Sequence, residues 1–544
     1  MDLDTALDEA KTAINLFFNN KFNEAKEMMK PGRSSLGRWN YIDTPLSHSI
    51  QKAGESLKDA IQLCNYYRKK NTFSESIGKM VRRTNYDVYT NEEVHAELCF
   101  AESLLLKALL SFIEDETLVS FIRAGLKIRS CFNSYKECSH ILNHRNWAKK
   151  EPHKIHFESG VRVGIGAFNL VSSLSELFCS SIESLLEFIG FSGSKELGLQ
   201  ELEASYGLTQ GLRQVLSVMT LLSYNLIVVY VFSHTDGDLQ FCDTILKKQL
   251  MLYPEGAWFL YFKGRLEFMR GNLKDANSWY TKSWKSQNTW VQFHHICFWE
   301  LLWTNRYLVL RRLSWSHSDL LNDSRWSRTI YSYHKVSIML MYFDELSGEE
   351  QQAVINLMRN VPRWKQRIAG KSIPMEKFCV KKSKRFFSQN NKLILPAMEL
   401  IYVWNLFKVI GKKRELSDRF IRLFLMQSSN LKKTPVSSKA DNRALLYLLK
   451  GACLRRMNNP MLAEENLRNV VALEKKIKED NYLVPYALVE LGIMFHEGGD
   501  NQRAIQTLDD AKKNYTGYSL ESRLHFQMHS AMMELQSLKH SNKN

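Results

Sequence analysis

The stretch ELGIMFHEGGDNQRAIQTLDDA, Glu490 to Ala511, decides the fold because it places small residues where a helix usually carries bulky ones. Gly492 precedes Ala504 by twelve residues, Leu508 follows four residues later, and Ala511 three residues after that. A glycine halfway along one helix and an alanine on the facing side of the next allow the two helix axes to approach closely. The GGD between them supplies turn and capping groups. The stretch therefore predicts a tightly nested pair of α-helices.

The same spacing recurs elsewhere in the chain. The recurring positions are Gly264 with Ala276 and Tyr280, Gly451 with Ala463 and Leu467, and, in a fainter copy, Ala13 with Ala25 and Met29. The interval matches the tetratricopeptide repeat, a helix-turn-helix unit of about 34 residues. Recognisable units are predicted at residues 257–290, 444–477 and 485–518. Such a pair must stack on neighbouring pairs to bury its remaining apolar face.

These repeats predict an all-α fold, namely a right-handed, tetratricopeptide-like helical-repeat α-solenoid with degenerate helix pairs in the middle and no sheet. Stretches such as TNEEVHAELCFAESLLLKALLSFIED, from Thr90, keep helical periodicity without the small-residue motif. We expect residues 1–235 to form an N-terminal helical region with the faint repeat. Residues 236–544 are expected to form the repeat region of one continuous helical array.

Length, cysteine content and charge limit the class of protein. The 544 residues exceed the roughly 250 to 300 at which a single compact core stops growing. Nine cysteines lie singly, without a C-x-x-C pair, which indicates reduced thiols in a cytosolic or nuclear protein. The most apolar segment, Leu221–Phe232, is shorter than the roughly 18 to 20 residues that cross a bilayer, so no transmembrane span is predicted. The formal charge of +17 suits nucleic acid, anionic lipid or acidic partners without choosing among them.

Several long strings resemble the tetratricopeptide repeat protein 39 family nearly end to end. They are ALDEAKTAINLFFNNKFNEAKEMMKP near the start, SGVRVGIGAFNLVSSL with LLEFIGFSGSKELGL between Ser159 and Leu199, QFHHICFWELLW from Gln292, and IAGKSIPMEKF from Ile368. The resemblance implies a helical, non-enzymatic protein whose relatives are linked to lipid and cholesterol homeostasis and to protein turnover through ubiquitination. One departure is SELFCSSIESLLEFIG, residues 175–190, where relatives usually carry a proline and a basic residue.

Short motifs that carry enzymatic or cofactor chemistry are incomplete in this chain. A phosphate-binding loop ending in residues 370–372 would need a glycine where Lys365 stands. His496 and Glu497 begin an H-E-x-x-H zinc motif, but Asp500 replaces the second histidine. No nucleophile, base and stabilising group occur together. The sequence therefore predicts that the protein is not an enzyme and has no catalytic residue, cofactor or metal site.

The first helix of each predicted pair is the expected partner-binding element, because repeat arrays bind on their concave face. Its side chains are mixed aromatic, aliphatic and basic, without the paired lysine and asparagine that would clamp a carboxylate terminus. The candidate partner-binding residues are Trp258, Tyr261, Arg265, Phe268, Arg455, Tyr486 and His496. A protein partner with a hydrophobic or helical segment fits them. The alternative is that other helices of the same chain cover these side chains.

Residues 363–392 carry ten basic residues against a single acid, Glu376. The candidate basic surface comprises Lys381, Lys382, Lys384 and Arg385. It suggests contact with acidic protein or an anionic lipid surface, and the alternative is a solvated loop face. Nucleic acid is not expected, because no recognition module surrounds the stretch.

These observations predict a non-catalytic, cytoplasmic interaction scaffold or adaptor. By the family resemblance it would act in lipid and cholesterol homeostasis through turnover of a regulatory protein. The alternative is a peripheral membrane or lipid-associated regulator that uses the basic surface. A nuclear or membrane-peripheral location is the corresponding alternative to the cytoplasm.

Overall fold

The computed structural model describes residues 2–29, 46–68, 85–114, 118–147, 152–173, 193–308, 327–368, 371–430 and 439–541. These residues form α-helices almost throughout, and the predicted all-α helical-repeat class is confirmed. The departure from the family pattern at residues 175–190 lies outside the described ranges.

The described part of the chain packs as two compact units. The first comprises Met1–Ser223, Lys247–Trp258 and Ser286–Trp290, and the second Tyr224–Leu246, Phe259–Lys285 and Val291–Asn544. The boundary expected after residue 235, and the continuity of the array, stay predictions.

The first half of the chain contains helices α1 to α10. Their bounds are α1 Leu3–Phe18, α2 Phe22–Met28, α3 Leu46–Tyr67, α4 Asn91–Glu114, α5 Leu118–His144, α6 Pro152–Ser173, α7 Lys195–Gly207, α8 Gln214–Ser223, α9 Val229–Phe232 and α10 Leu239–Leu252. A 3-10 turn spans Tyr86–Val88, and a π-helical turn, Tyr224–Val228, joins α8 to α9. The core of the first unit includes Val94, Leu98, Cys131, Phe157 and Val161.

The second half contains helices α11 to α24. Their bounds are α11 Ala257–Met269, α12 Leu273–Lys285, α13 Val291–Leu308, α14 Arg328–Met339, α15 Gly348–Asn360, α16 Pro374–Ser388, α17 Pro396–Val403, α18 Phe407–Ile410, α19 Arg414–Asn430, α20 Lys439–Arg456, α21 Pro460–Ala472, α22 Leu483–Glu497, α23 Asn501–Asn514 and α24 Glu521–Ser541. Short 3-10 helices span Leu340–Glu345 and Glu474–Lys476. Within the described ranges, β-structure is limited to β1, Arg367–Ile368, paired antiparallel with β2, Lys371–Ser372. The sequence did not predict this minimal hairpin, whose second strand contains Lys371 and Ser372 of the incomplete phosphate-loop motif.

The four stretches with the small-residue spacing are the helix pairs α1/α2, α11/α12, α20/α21 and α22/α23. In each pair the residue seven positions after the small one adopts a left-handed backbone conformation; these residues are Asn20 (φ 64), Gly271 (φ 78), Asn458 (φ 57) and Gly499 (φ 82). In each, the next amide donates to the carbonyl five residues earlier, as Asp500 N does to Phe495 O at 2.9 Å. This is the Schellman arrangement that ends helices with glycine or asparagine. The faint first copy therefore shares the turn of the clearer ones.

Close approach at the helix crossings accounts for the glycines. A Cβ atom built on Gly264 would lie 2.6 Å from Tyr280 Cδ1, and one on Gly451 2.8 Å from Leu467 Cγ. One on Gly492 would lie 2.7 Å from Leu508 Cγ. The second helices present their alanines at the same crossings, and the fully buried alanines are Ala276, Ala463, Ala504 and Ala511.

Replacing Gly264 by alanine tests this close approach, because the sign of the change in the free energy of unfolding depends on it. In an exposed helix interior the change would stabilise by up to about 1 kcal/mol. Here the methyl group meets the buried Tyr280 ring, so we expect a loss of about 1 to 3 kcal/mol in the free energy of unfolding. Gly348→Ala is the matched control, because nothing lies within 4 Å of a Cβ at that helix start. Chemical denaturation of both variants measures the difference, and a stabilised Gly264→Ala protein would contradict the crossing.

One described helical run, Gln214–Phe232, is long and apolar enough to span a bilayer by length and composition alone. Half of it is buried inside the protein, as in the core helix of a folded domain. It extends the twelve-residue apolar segment seen in the sequence by including Gln214 to Thr220.

Candidate interaction site

The first helices of the repeat pairs do not present most of the predicted partner-binding residues to solvent. Tyr261, Arg265, Phe268, Arg455 and Tyr486 are all buried. Trp258 and His496 are half-buried. A partner cannot reach the five buried side chains while the helices are packed, so their assignment to an open binding face is corrected. The alternative drawn from the sequence, in which other helices of the same chain cover these side chains, describes them.

Arg265 lies in a buried ion pair. Its Nη1 donates to Glu300 Oε2 at 2.8 Å, and its Nη2 donates to Leu226 O at 2.8 Å. The hydroxyls of Tyr261 and Tyr280 face the same carboxylate at 3.5 and 3.4 Å. Burial raises the pKa of both tyrosines well above the usual value, so each hydroxyl keeps its proton and donates. The guanidinium therefore binds groups of its own chain.

A segment of the same chain donates hydrogen bonds to backbone carbonyls of a neighbouring helix in the second unit. Asn405 Nδ2 donates to Tyr230 O at 2.9 Å and to Ser233 O at 3.0 Å. Lys408 Nζ donates to Ser233 O and Thr235 O, each at 2.7 Å. An asparagine and a lysine thus bind carbonyls at and just beyond the end of α9, where helix carbonyls lack internal partners. Separations of more than 170 residues leave no local sequence signal for this contact.

Arg455 and Tyr486 are likewise held by neighbouring helices. Arg455 Nε donates to Glu490 Oε2 at 2.7 Å, and its Nη1 donates to Glu497 Oε1 at 2.7 Å. The hydroxyl of Tyr486 donates to Leu520 O at 3.3 Å. In the first unit, the ring of Trp258 packs edge-on against Trp290, with centroids 5.9 Å apart.

The predicted basic surface is also corrected, because two of its four cations point inward. Lys382 and Arg385 are buried and both contact the carboxylate of Asp480; Lys382 Nζ lies 2.7 Å from Oδ2. Burial lowers the pKa of Lys382 to about 8, although Glu399 beside it favours the charged form. Lys381 is half-buried and donates to a backbone carbonyl, while Lys384 is exposed. The acids that neutralise this cluster come from distant parts of the sequence.

An open groove in the second unit, with a volume of about 600 Å³, is a more accessible site. It lies where α16 and α24 begin, beside the loop that precedes α24. Its lining residues are Pro374, Lys377, Phe378, Gly517, Tyr518, Ser519, Leu520, Glu521, Ser522 and His525. We call it the 374–525 groove. The sequence did not indicate it.

Two polar atoms of the 374–525 groove have no hydrogen-bond partner among the described residues. The Tyr518 side chain is 7% exposed, and its hydroxyl is buried without a bond. His525 Nε2 is also without a hydrogen bond, with Glu521 Oε1 3.8 Å away. Burial raises the pKa of Tyr518 and lowers that of His525, so one hydroxyl and one neutral imidazole face the groove. Because an unpaired buried polar group is costly, the pair favours an incoming ligand that supplies the missing bonds.

Helices nested in pairs at glycine and alanine crossings define a tetratricopeptide-like helical-repeat protein, a class that generally binds protein partners. The sequence profile of the Iml2/Tetratricopeptide repeat protein 39 family matches residues 11–457. The chain belongs to this family, which confirms the resemblance drawn from the sequence. A relative, the tetratricopeptide repeat protein ttc-39B of Caenorhabditis elegans, is 34% identical over 556 aligned residues, covering 97% of this chain and 92% of its own.

Two solved structures show a more distant likeness. The tetratricopeptide domain of P58(IPK) is 13% identical, with a TM-score of 0.19, and the match covers 92% of this chain and 98% of that one. The APC/C hetero-tetramer Cut9-Hcn1 is 11% identical, with a TM-score of 0.25 and coverage of 86% and 87%. At these scores neither likeness bears on the function of this chain.

Proposed function

We propose that the protein is a non-catalytic interaction scaffold that docks a protein partner in the 374–525 groove. The observation that carries the proposal is an open groove large enough for several side chains, in which the buried Tyr518 hydroxyl has no hydrogen-bond partner among the described residues. The repeat fold supports a binding role, since such arrays act by surface complementarity. The buried basic stretch gives no support to the alternative of a membrane regulator that uses Lys382 and Arg385.

The lining of the groove indicates the chemistry of the partner segment. Lys377 and Pro374 are exposed, and Pro374 adds apolar surface, while Phe378 lies beneath them and is only 1% exposed. Pro374 and Glu521 begin helices, and helix N termini favour negative charge. We therefore propose a helical partner segment that places an apolar side chain in the groove. A carboxylate on this segment would pair with the exposed Lys377 and, once the loop that carries Tyr518 moves aside, would accept from its buried hydroxyl.

Substitutions in the groove are expected to weaken partner binding without unfolding the chain. A photo-crosslinking residue at exposed Ser522 identifies the bound protein, and calorimetry with that purified partner measures affinity. We expect Lys377→Glu to weaken binding at least about tenfold through like-charge repulsion. Tyr518→Phe removes a hydrogen bond worth about 1 kcal/mol, or roughly fivefold in affinity. The same variant should not destabilise the free chain, since its hydroxyl is unpaired there.

Lys384→Glu is the matched control for charge. It makes the same substitution on the same helix, at an exposed lysine that does not line the groove. Equal loss of binding in Lys377→Glu and Lys384→Glu would indicate a general charge effect and reject the groove. Unchanged affinity in both groove variants would reject it as well.

The family resemblance extends the proposal to a biological role. We place this scaffold in the cytoplasm and in lipid and cholesterol homeostasis, where it would present a regulatory protein for turnover through ubiquitination. Free thiols at the eight described cysteines are compatible with a reducing compartment. The half-life of the crosslinked partner in cells, compared between wild-type and Lys377→Glu protein, is the readout for this role.

A further inference from the structure

Three potential metal ligands from separate elements of the second unit converge at one point. His234 follows α9, His496 lies in the last turn of α22, and Glu534 lies on α24. One ligand atom from each is within 4.8 Å of the others. His234 is 5% exposed, while Glu534 is 46% exposed at its side chain, so the cluster opens to solvent on one side only.

The distances between these atoms suit a small divalent ion. His234 Nε2 lies 3.1 Å from Glu534 Oε2, and His496 Nε2 lies 3.5 Å from Glu534 Oε1. Ligands about 2.0 to 2.1 Å from a tetrahedral Zn²⁺ are roughly 3.3 to 3.4 Å apart. The two spacings lie just below and just above that edge length, and they run to the two different oxygens of the Glu534 carboxylate. The spacing between the two imidazole nitrogens is within 4.8 Å. Two histidines and one carboxylate are also the ligand set of zinc sites that keep a fourth position open.

The outer nitrogens of both imidazoles are held by hydrogen bonds. His496 Nδ1 lies 3.2 Å from Asn501 Oδ1, and His234 Nδ1 lies 3.2 Å from Ser530 Oγ. The amide oxygen of Asn501 can only accept, so a neutral His496 carries its hydrogen on Nδ1 and has its lone pair on Nε2. That lone pair faces a carboxylate oxygen. Such partners orient histidine ligands and fix their tautomer in metal sites.

When two hydrogen-bond acceptors face each other, a cation between them stabilises the arrangement. Lys408 and Arg455 lie nearby, and Arg455 is neutralised by Glu490 and Glu497. A neutral imidazole can serve as a metal ligand.

We propose that His234, His496 and Glu534 bind one divalent transition-metal ion, with Zn²⁺ the best match to the ligand set. The solvent-facing side of Glu534 leaves room for water as the fourth ligand. The ion would tie α24 to α22 and to the loop after α9. It would act as a structural link within the second unit, independently of the groove.

Calorimetry with Zn²⁺ on the full chain, stripped of metal by a chelator, tests this site. We expect one Zn²⁺ per chain and a raised melting temperature in its presence. Glu534→Gln and His496→Ala should each weaken binding by at least about 100-fold, the upper end of the cost of losing even an outer-shell partner. Glu534→Gln is the safer variant, because its partly exposed side chain can change without a cavity.

Asp510→Asn is the control, an exposed carboxylate on the neighbouring helix α23. It should leave both the stoichiometry and the melting shift unchanged. A wild-type chain that takes up no Zn²⁺ overturns the proposal, as would happen if the three groups merely share a proton. Undiminished binding in both Glu534→Gln and His496→Ala overturns it too, because the ion would then lie elsewhere.

Discussion

Replacing Asp480 by asparagine is expected to lower the free energy of unfolding by about 3 to 5 kcal/mol, the usual cost of breaking a buried ion pair on one side. Asp480 is fully buried, and its Oδ2 contacts both Lys382 and Arg385. Without the charge of Asp480, Lys382 would keep Glu399 as its one buried carboxylate partner among the described residues. Arg385 would keep its hydrogen bond to the side-chain oxygen of Asn442. Urea denaturation of purified protein measures the loss.

Glu479→Gln is the control for this substitution. It removes a carboxylate from the adjacent residue, whose side chain is 48% exposed and 3.9 Å from Arg385. Surface changes of this kind usually fall within about 0.5 kcal/mol. Similar losses in Asp480→Asn and Glu479→Gln would mean that these cations are solvated as the sequence suggested, and that they do form a basic surface.

Glu300→Gln is the second substitution with a large expected effect, again about 3 to 5 kcal/mol. Glu300 is the carboxylate that pairs with the buried Arg265, and its loss leaves a guanidinium inside the protein with only neutral partners among the described residues. Thermal and chemical denaturation should both report the loss. The hydroxyls of Tyr261 and Tyr280 can still donate to the glutamine oxygen, so the loss reflects the charge.

The double variant Arg265→Met with Glu300→Met separates charge from packing. Replacing both members of a buried pair by apolar residues of similar volume is often neutral or stabilising. We expect the double variant to recover most of the stability that Glu300→Gln loses. If it also binds the crosslinked partner like wild type, Arg265 is not a partner contact, whereas a folded double variant that no longer binds would restore the original assignment.

The helix pairs could be predicted from the sequence because their information is local. Gly264, Gly451 and Gly492 each stand twelve residues before an alanine, and that spacing reports a crossing formed by consecutive helices. The left-handed turn seven residues after each glycine follows from the same geometry, although an asparagine serves at 458. The family resemblance likewise rested on continuous strings.

Burial of the candidate site residues could not be predicted, because it depends on residues far away in the chain. The pattern placed Arg265 and Arg455 on the first helix of each pair, where an open array would expose them. Their carboxylate partners lie 35 residues further on in both cases. The excess of basic residues around Lys382 does not predict its burial for the same reason, since Asp480 is 98 residues away. The period of a single helix does not link such pairs, although the two spacings of 35 residues are close to the length of one repeat.

The same limit applies to sites that the sequence did not indicate. The 374–525 groove joins the starts of two helices that are remote in sequence. The zinc motif that begins at His496 is incomplete in the sequence, because Asp500 stands where the second histidine belongs. The structure supplies His234 from another element, at a separation that no short motif covers.

The hydrogen bonds from Lys408 to the carbonyls of Ser233 and Thr235 have a consequence for biosynthesis. Ser233 precedes Lys408 by 175 residues. At the usual elongation rate of about 5 to 20 residues per second, Lys408 is synthesised roughly 10 to 35 seconds after the apolar turn and helix that precede Ser233. A nascent chain therefore carries these carbonyls at the ribosome long before the lysine that binds them has been synthesised.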